Sequence, residues 1–279
     1  MGVNCTLRVW STTKRYRLLS LLLALTLISS LQANTSQKKI APDPLNSDSL
    51  NFGPHESLRN LKQSSVRSKE FFLYDINWGL VNAGQASLET LPSLGSLWEL
   101  RSRAWCNSFF QTFYPVQDTI FSIIDSLGIY PLRFEKRLHE GNYHAHEKAR
   151  FNQGLKKAWV ADTSFSIEPF THDILSAFAY IRTQKIEVGK TFSLAAISGK
   201  KKYELKVDCL RRETIQVPAG TFKTLVLEPK VKGVGLFRAK GKLTIWLSDD
   251  SRKIPVLMKS KIPVGSISAE LVKFNYPGN

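Results

Sequence analysis

The sequence predicts an all-β protein: an antiparallel meander that forms a barrel or two packed half-barrels, with one short covering helix. Apolar and polar residues alternate in about a dozen short runs, a pattern typical of strands that bury one face. Glycine, proline and aspartate separate these runs at short intervals, as in hairpin connections. Because a dozen strands with one helix could not cover both faces of a flat sheet, closure of the sheet is favoured.

Composition and charge restrict the class of protein. The chain has 279 residues, of which 43% are hydrophobic and 22% charged, and these are the proportions of a globular protein. Its three cysteines are too few for a disulfide-dense miniprotein or a four-cysteine metal site. The formal net charge is +16, but no basic cluster alternates with aromatic residues, so we expect no nucleic-acid binding. The basic surface suits anionic lipid or acidic polysaccharide, or else only keeps the protein soluble.

Residues 1–33 are typical of a secretory signal peptide. Basic residues precede an apolar run over 18–31, which is shorter than the roughly 20 residues that span a bilayer. Cleavage is expected after Ala33, and an uncleaved N-terminal anchor is the alternative. No cysteine follows the run directly, so a lipid-anchored lipoprotein is not expected. The sequence therefore predicts a periplasmic or secreted protein with no transmembrane span in the mature chain.

The rest of the chain divides into two parts. Residues 34–69 are rich in serine, asparagine and proline, without a sustained period, and predict a flexible polar N-terminal arm. Residues 70–279 predict a single β-rich, barrel-like domain. Strands are expected near 70–77, 80–90, 98–106, 117–124, 129–138, 143–151, 155–161, 190–196, 203–209, 222–230, 243–247, 254–262 and 267–274.

One segment, over 172–182, interrupts the β pattern and predicts a helix of about three turns. Thr171 is expected to cap the start of this helix, Asp173 suits its positive end and Arg182 its negative end. Arg182 should reach a carboxylate or a backbone carbonyl near the rim of the barrel. The helix is expected to cover one opening of the barrel by packing an apolar face onto the sheet, formed by Ile174, Phe178 and Ile181.

Four signatures occur in order along the chain. They are an aromatic-Gly-x-x-x-Ala-Gly turn at 78–84, a D-x-L-S-A-x-x-Y-x-R helix at 173–182, an A-G-x-F turn at 219–222 and a closing hairpin at 241–256. From about Phe71 to Phe274 the chain resembles the bacterial exported family called domain of unknown function 3108. The resemblance implies an exported, mostly β, barrel-like protein, and it supplies neither an accepted activity nor catalytic residues.

Candidate chemical sites are few, and the sequence assigns no catalytic, cofactor-binding or metal-binding residue. His144 and His146 would share one face of a strand, a spacing that can bind a metal, although that face also resembles a solvated outer surface. His172, Asp173 and Ser176 are close in sequence, but a catalytic triad usually draws its members from separate elements.

Two further pairs of residues, one of carboxylates and one of cysteines, can be explained either by a structural role or by a chemical one. Asp249 and Asp250 are adjacent carboxylates that suit a hairpin tip, and they could act as acid and base only in a cleft. Cys106 and Cys209 lie on the apolar faces of their strands, where a disulfide and two buried thiols are both compatible with the sequence.

Two functional hypotheses follow. The first is a non-enzymatic envelope protein, a binding or structural module for a lipid, a glycan or another envelope component, which is favoured by the export signal and the absence of a catalytic motif. The alternative is a hydrolase acting on an envelope polymer, with His172, Asp173 and Asp250 converging in three dimensions.

Overall fold

The structure is a computed structural model. It describes four ranges of the chain, 56–61, 65–231, 242–262 and 265–278. The predicted signal peptide at 1–33 and the first part of the predicted arm, residues 34–55, lie outside the described residues. Within the described ranges, no helix is both long and apolar enough to cross a membrane.

The described residues form fourteen strands and two short helices. The first half contains β1 (Phe71–Trp78), β2 (Val81–Pro92), β3 (Leu97–Cys106), α1 (Ser108–Gln111), β4 (Gln117–Asp125), β5 (Pro131–Glu140), β6 (Tyr143–Asn152), β7 (Lys157–Val160) and β8 (Thr163–Ser166). Helix α2 (Ile174–Thr183) connects it to the second half, which contains β9 (Thr191–Ser198), β10 (Lys201–Val217), β11 (Gly220–Val231), β12 (Leu243–Ser248), β13 (Pro255–Ile262) and β14 (Gly265–Asn275).

All fourteen strands belong to one antiparallel sheet, which confirms the predicted fold class. The order is β8-β7-β6-β5-β4-β3-β2-β1-β14-β13-β12-β11-β10-β9, so all paired strands are neighbours in sequence except for β1 and β14, which pair with each other. These two join the half-sheets, in a register that runs from Phe71 opposite Asn275 to Trp78 opposite Ile267. Strand pairing does not close the sheet in the described chain, and β8 and β9 are its edges.

Alternation along the strands places one face of the sheet around a common core. In β1, Phe72, Tyr74 and Ile76 are buried, and Tyr74 lies opposite Leu271 of β14, which is also buried. One hydrophobic cluster contains residues of both half-sheets and of α2. The two halves are therefore parts of one folded unit, as the predicted half-barrels require.

Side-chain hydrogen bonds connect the two edges of the sheet. Lys200, in the β9–β10 turn, donates to the Thr163 hydroxyl on β8 at 2.6 Å. Lys202 donates to the Ser166 carbonyl at 3.1 Å. The segment before α2 adds a parallel bridge between His172 and Ala196 of β9. The sheet thus surrounds its core without a continuous ring of paired strands.

Asp173, and not Thr171, caps the start of α2. Its carboxylate accepts the backbone N–H groups of Leu175 at 2.8 Å and Ser176 at 3.0 Å, because Asp173 has the extended backbone of an N-cap residue. The Thr171 hydroxyl donates instead to the Glu168 carbonyl at 2.6 Å. Phe178 on the predicted apolar face is buried, as expected.

Arg182, in the last turn of α2, confirms the prediction that it reaches a carboxylate and backbone carbonyls. Its guanidinium forms a two-pronged ion pair with Glu70, at 2.9 and 3.1 Å, and both side chains are buried. It also donates to the carbonyls of Ser65, Arg252 and Lys253. The helix, the start of β1 and the β12–β13 turn are therefore held together by one side chain.

The described part of the predicted arm packs on the sheet. Val66 is fully buried, and the Leu61 amide donates to the Leu127 carbonyl at 2.9 Å. The Arg59 guanidinium lies 4.2 Å from the centre of the Phe170 ring. These contacts hold residues 56–61 and 65–69 against the core, the β4–β5 connection and the segment before α2.

A meander places its connections alternately at two ends of the sheet. We call them the α1 end, where β3 connects to β4 through α1, and the α2 end, where β8 connects to β9 through α2. The α1 end also contains the β1–β2, β5–β6, β7–β8 and β9–β10 turns, together with the last residues of β13 and the first of β14.

Candidate functional site

Two buried carboxyl groups lie side by side near the α1 end, at Asp118 of β4 and Glu140 of β5. Both residues are 2% exposed, and the Asp118 carboxylate accepts the His139 amide at 2.9 Å. Burial raises the pKa of Asp118 to about 6. Burial and the neighbouring Asp118 raise the pKa of Glu140 to about 9. At neutral pH the pair therefore retains a proton.

The carboxyl pair belongs to a larger polar group, which we call the polar layer: Asp118, Lys136, Glu140, Glu147 and Tyr203. All but Glu147 are buried. Lys136 forms an ion pair with Glu147 at 2.9 Å, and burial and Glu147 raise the pKa of Tyr203. Glu140 Oε1 and the Tyr203 hydroxyl are buried with no hydrogen-bond partner among the described residues. The polar layer can therefore hold a proton. The Glu140 oxygen could accept a further hydrogen bond, and the Tyr203 hydroxyl could donate one.

The structure brings His172, Asp173 and Ser176 together, but not as a catalytic triad. His172 Nδ1 lies 3.2 Å from the Ser176 hydroxyl, whereas the Asp173 carboxylate accepts the Ser122 hydroxyl at 2.6 Å and the helix amides. All three residues are at most 1% exposed. Burial, with a smaller contribution from Arg59, lowers the pKa of His172 to about 3. The group anchors α2 to the sheet and has no surface open to a substrate.

The two adjacent acids at the β12–β13 turn form contacts that stabilise the turn. Asp250 accepts the Ser248 hydroxyl and the Arg252 guanidinium at 2.7 Å each, and Asp249 pairs with Arg212 at 2.7 Å. Burial acts to raise the pKa of Asp250, but the hydrogen bonds from Arg252 and Ser248 outweigh it and lower the pKa.

Asp250 does not join His172 and Asp173 in a common site. Asp173 caps the first turn of α2, whereas the β12–β13 turn that contains Asp250 contacts Arg182 in the last turn. A ten-residue helix is about 15 Å long. The three side chains proposed for a hydrolase therefore do not converge.

The two histidines of β6 lie on the outer face of the sheet. His146 contacts the Glu135 carboxylate at 2.8 Å. The same carboxylate accepts a hydrogen bond from the Arg137 guanidinium. The His144 ring lies 4.3 Å from the ring of His139. In the part of the chain that the structure describes, no group of three or more His, Cys, Asp or Glu residues is suited to hold a metal ion.

The two cysteines of the domain are free and buried, which decides between the alternatives that the sequence left open. Cys106 Sγ accepts the Val116 amide at 3.2 Å. Burial raises the pKa of the Cys209 thiol, which is typical of an unreactive thiol.

Large apolar side chains are exposed together at the α1 end. Leu80, at the tip of the β1–β2 turn, is fully exposed, and Phe109 and Phe113 in the β3–β4 connection are 68% and 59% exposed. Every exposed aromatic side chain in the described ranges lies at this end. We call this set the aromatic end: Trp78, Leu80, Val81, Trp105, Phe109, Phe113 and Tyr143.

Hydrogen bonds join neighbouring turns of the aromatic end to one another. The Asn107 side chain caps α1 and donates to the Asn82 carbonyl at 2.7 Å, which joins α1 to the β1–β2 turn. The Gly141 amide donates to the Pro115 carbonyl at 2.7 Å, which joins the β5–β6 turn. Sequence reasoning missed this surface, although the apolar Leu80 in a tight turn was a signal for it.

The charges around the aromatic end are mostly positive. Arg103, Lys242 and Lys261 are exposed close to it. The Lys261 amide donates to the Lys242 carbonyl, and the Lys242 ammonium forms an ion pair with Glu228. Within the described parts of 78–82, 103–117, 140–144 and 261–266, no carboxylate is exposed. This end therefore combines apolar contact area with a positive surrounding.

Comparison with family models decides the family. The model described as "Protein of unknown function (DUF3108)" matches residues 73–272, from β1 to β14. The chain belongs to the DUF3108 family. This result confirms the resemblance inferred from the sequence signatures. A search of curated proteins finds no match to this DUF3108 chain.

One solved structure shares the architecture of this DUF3108 domain, and two others are similar at lower scores. A β-barrel-like protein of the DUF1849 domain from Brucella abortus has a TM-score of 0.50 at 10% identity, over 77% of this chain and 100% of that one. A Bacteroides fragilis protein classed as exported, with a YmcC-like fold, has a TM-score of 0.35 at 9% identity, over 75% and 97%. A Parabacteroides distasonis protein classed as a lipoprotein has 0.33 at 9%, over 79% and 100%. At 10% identity the likeness to the Brucella abortus protein concerns the fold alone.

Proposed function

We propose that this protein is an extracytoplasmic, non-enzymatic binding module that holds an envelope component against its aromatic end. The observation that carries the proposal is the gathering of every exposed aromatic side chain of the described ranges at one end of the sheet. Large exposed apolar patches on soluble proteins usually mark interaction sites. The signal-like residues 1–33 support a location outside the cytoplasm.

The internal groups support a binding role over a hydrolytic one. The start of α2 buries three of the candidate residues, His172, Asp173 and Ser176, and Asp173 caps the helix there. Asp250 stabilises its own turn by hydrogen bonds to Ser248 and Arg252. A hydrolase needs an acid or base within reach of a substrate. The exposed surface supplies apolar contact area, which favours binding without a chemical step.

Photo-crosslinking in cells tests the proposal. A photoreactive phenylalanine analogue at position 109 should form a defined crosslink to an envelope lipid, glycan or protein. The same analogue at position 155, an exposed leucine site at the α2 end, is the matched control and should form none.

The crosslink must also depend on the rest of the surface. Leu80→Ser, in a neighbouring turn, should reduce the product at position 109 several-fold, since both side chains would contact the same partner. Equal products at 109 and 155, no product at 109, or a product insensitive to Leu80→Ser would each overturn the proposal.

A further inference from the structure

We infer that the partner of the aromatic end is a lipid bilayer surface that contains anionic headgroups. The inference rests on the proposed function and names the partner of that same surface. Three properties of the aromatic end support a bilayer over a protein or a glycan: its shape, its residue types and its charge.

The shape of the aromatic end suits a soft, flat partner. Its apolar side chains project from several separate turns, and Leu80 stands at the tip of one of them, fully exposed. Gly79, before it, has a φ of +60° and open space around its Cα, so the tip protrudes from the sheet. A bilayer interface accepts separate protruding side chains, whereas a protein partner needs a matching groove for each.

The residue types suit the boundary between headgroups and acyl chains. Trp78, Trp105 and Tyr143 combine an apolar ring with a polar atom, which is the chemistry enriched at membrane interfaces. Phe109 and Phe113 have ring centres 5.3 Å apart and form a compact wedge without a polar atom. The aromatic end therefore offers both anchoring rings and an apolar insert.

The charge around the aromatic end complements an anionic surface. Arg103 and Lys261 are exposed beside it, in positions to contact headgroup phosphates while the apolar side chains enter the interface, whereas Lys242 is paired with Glu228. Of the exposed carboxylates in the described ranges, four lie in the segments of the α2 end, at Glu56, Glu168, Glu187 and Asp249, and two lie at the α1 end outside the turns of the aromatic end, at Asp162 and Glu204. This asymmetry would orient the molecule with the α1 end toward the membrane.

An environment-sensitive fluorophore tests the inference at a single position. The full chain carries Cys5→Ser and Leu80→Cys, and a matched control carries Cys5→Ser and Leu155→Cys. Because Cys106 and Cys209 are buried, the folded protein should be labelled only at the introduced thiol. Each protein is mixed with vesicles of phosphatidylcholine alone or of phosphatidylcholine with phosphatidylglycerol.

The label at position 80 should shift to shorter wavelength and brighten several-fold with phosphatidylglycerol vesicles, since it enters the interface. The label at position 155 should not respond, and the apolar run at 18–31 cannot produce this difference because both proteins contain it. Raising the salt from about 0.1 M to about 1 M shortens the screening length from about 10 Å to about 3 Å, and should weaken the response.

A second measurement compares variants of surface residues. Phe109→Ser with Phe113→Ser should reduce vesicle binding about tenfold or more, because two aromatic side chains no longer leave water. Both positions are exposed, so circular dichroism and the melting temperature should stay unchanged.

The outcomes separate this inference from the proposed function. No response at position 80, or an equal response at 155, overturns the bilayer inference. If position 109 crosslinks to a protein or a glycan while the fluorescence of the label at position 80 changes with neither kind of vesicle, the proposed function stands and the partner is not a bilayer. If both experiments fail, the proposed function and the inference are both wrong.

Discussion

Single residues in the polar layer link the stability of the fold to pH. Asp118 and Glu140 occupy inward positions of β4 and β5, where water cannot solvate two negative charges. Loss of the shared proton would leave two charges in contact, with Lys136 as a nearby cation. The folded state therefore binds this proton more tightly than the unfolded chain does.

Glu140→Gln should make the protein more stable at alkaline pH. The pKa of Glu140 rises from an ordinary 4.5 to about 9 in the folded state, so stability is lost as the pH rises between these values. The variant removes the titrating group and should gain about 1–3 kcal/mol at pH 9 relative to wild type, with little change at pH 4. Urea unfolding across this pH range measures the difference, and parallel curves for both proteins would contradict the prediction.

The exposure of individual aromatic side chains could not be predicted from the sequence. Phe109 and Phe110 are neighbours of the same type, yet one is 68% exposed and the other 6%, because α1 turns them to opposite sides. Composition cannot distinguish the two. Asp118 lies in a predicted strand, whereas Glu140 lies two residues beyond the predicted end of the next strand at 138. Which carboxylates meet depends on the register between strands, which no local pattern reveals.

At the scale of elements, regular and amphipathic segments were predictable and short ones were not. Strand β3 alternates cleanly over residues 100–106, and α2 has a clear apolar stripe. Strand β8, with four residues, and the one-turn α1 were missed. Each is too short for a period to be visible, and each is stabilised by its neighbours: β7 pairs with β8, and Asn107 caps α1.

Helix α2 should contribute strongly to stability through Phe178, which is 6% exposed within the common core. Phe178→Ala should lower the free energy of unfolding by about 3–5 kcal/mol, because the variant loses apolar burial and leaves a cavity. Denaturant unfolding measures the loss, with the exposed Leu155→Ala as the control that should change little. An unchanged midpoint for Phe178→Ala would mean that α2 is not packed in solution.

The ion pair between Arg182 and Glu70 should show strong coupling. Arg182→Met leaves the buried Glu70 carboxylate without its cation and should cost about 3–5 kcal/mol. Adding Glu70→Gln should restore part of this loss, since the uncompensated charge is gone. A double-mutant cycle by urea unfolding gives the coupling, and strictly additive losses would show that the two side chains act independently.

At the scale of the whole molecule, the sheet consists of two meanders joined once. Within each half, every strand pairs with its sequence neighbour, and only β1 and β14 pair across the length of the chain. Period-2 alternation predicted the meanders, but it carried no information about which strands would be edges. The pairing of the first strand with the last depends on burying both half-sheets around one core.

The junction between β1 and β14 means that the chain could be reordered without changing its fold. Phe71 lies opposite Asn275, and the Tyr276 hydroxyl lies 3.3 Å from the Ser65 carbonyl. A short linker from residue 278 to Ser65, with new termini opened in the exposed stretch 187–190, would make a circular permutant. Its strand order along the chain would be β9 to β14 and then β1 to β8.

Every strand pair of that permutant would be a hairpin or a short connection, so its contact order would fall. Proteins with more local contacts fold faster, and the permutant should refold several-fold faster than the natural order, as stopped-flow fluorescence would measure. Equal rates would show that the β1–β14 pairing forms after the slowest step. In the natural chain, then, β1 gains the second of its two pairing partners only when β14, the last strand of the described ranges, has been synthesised.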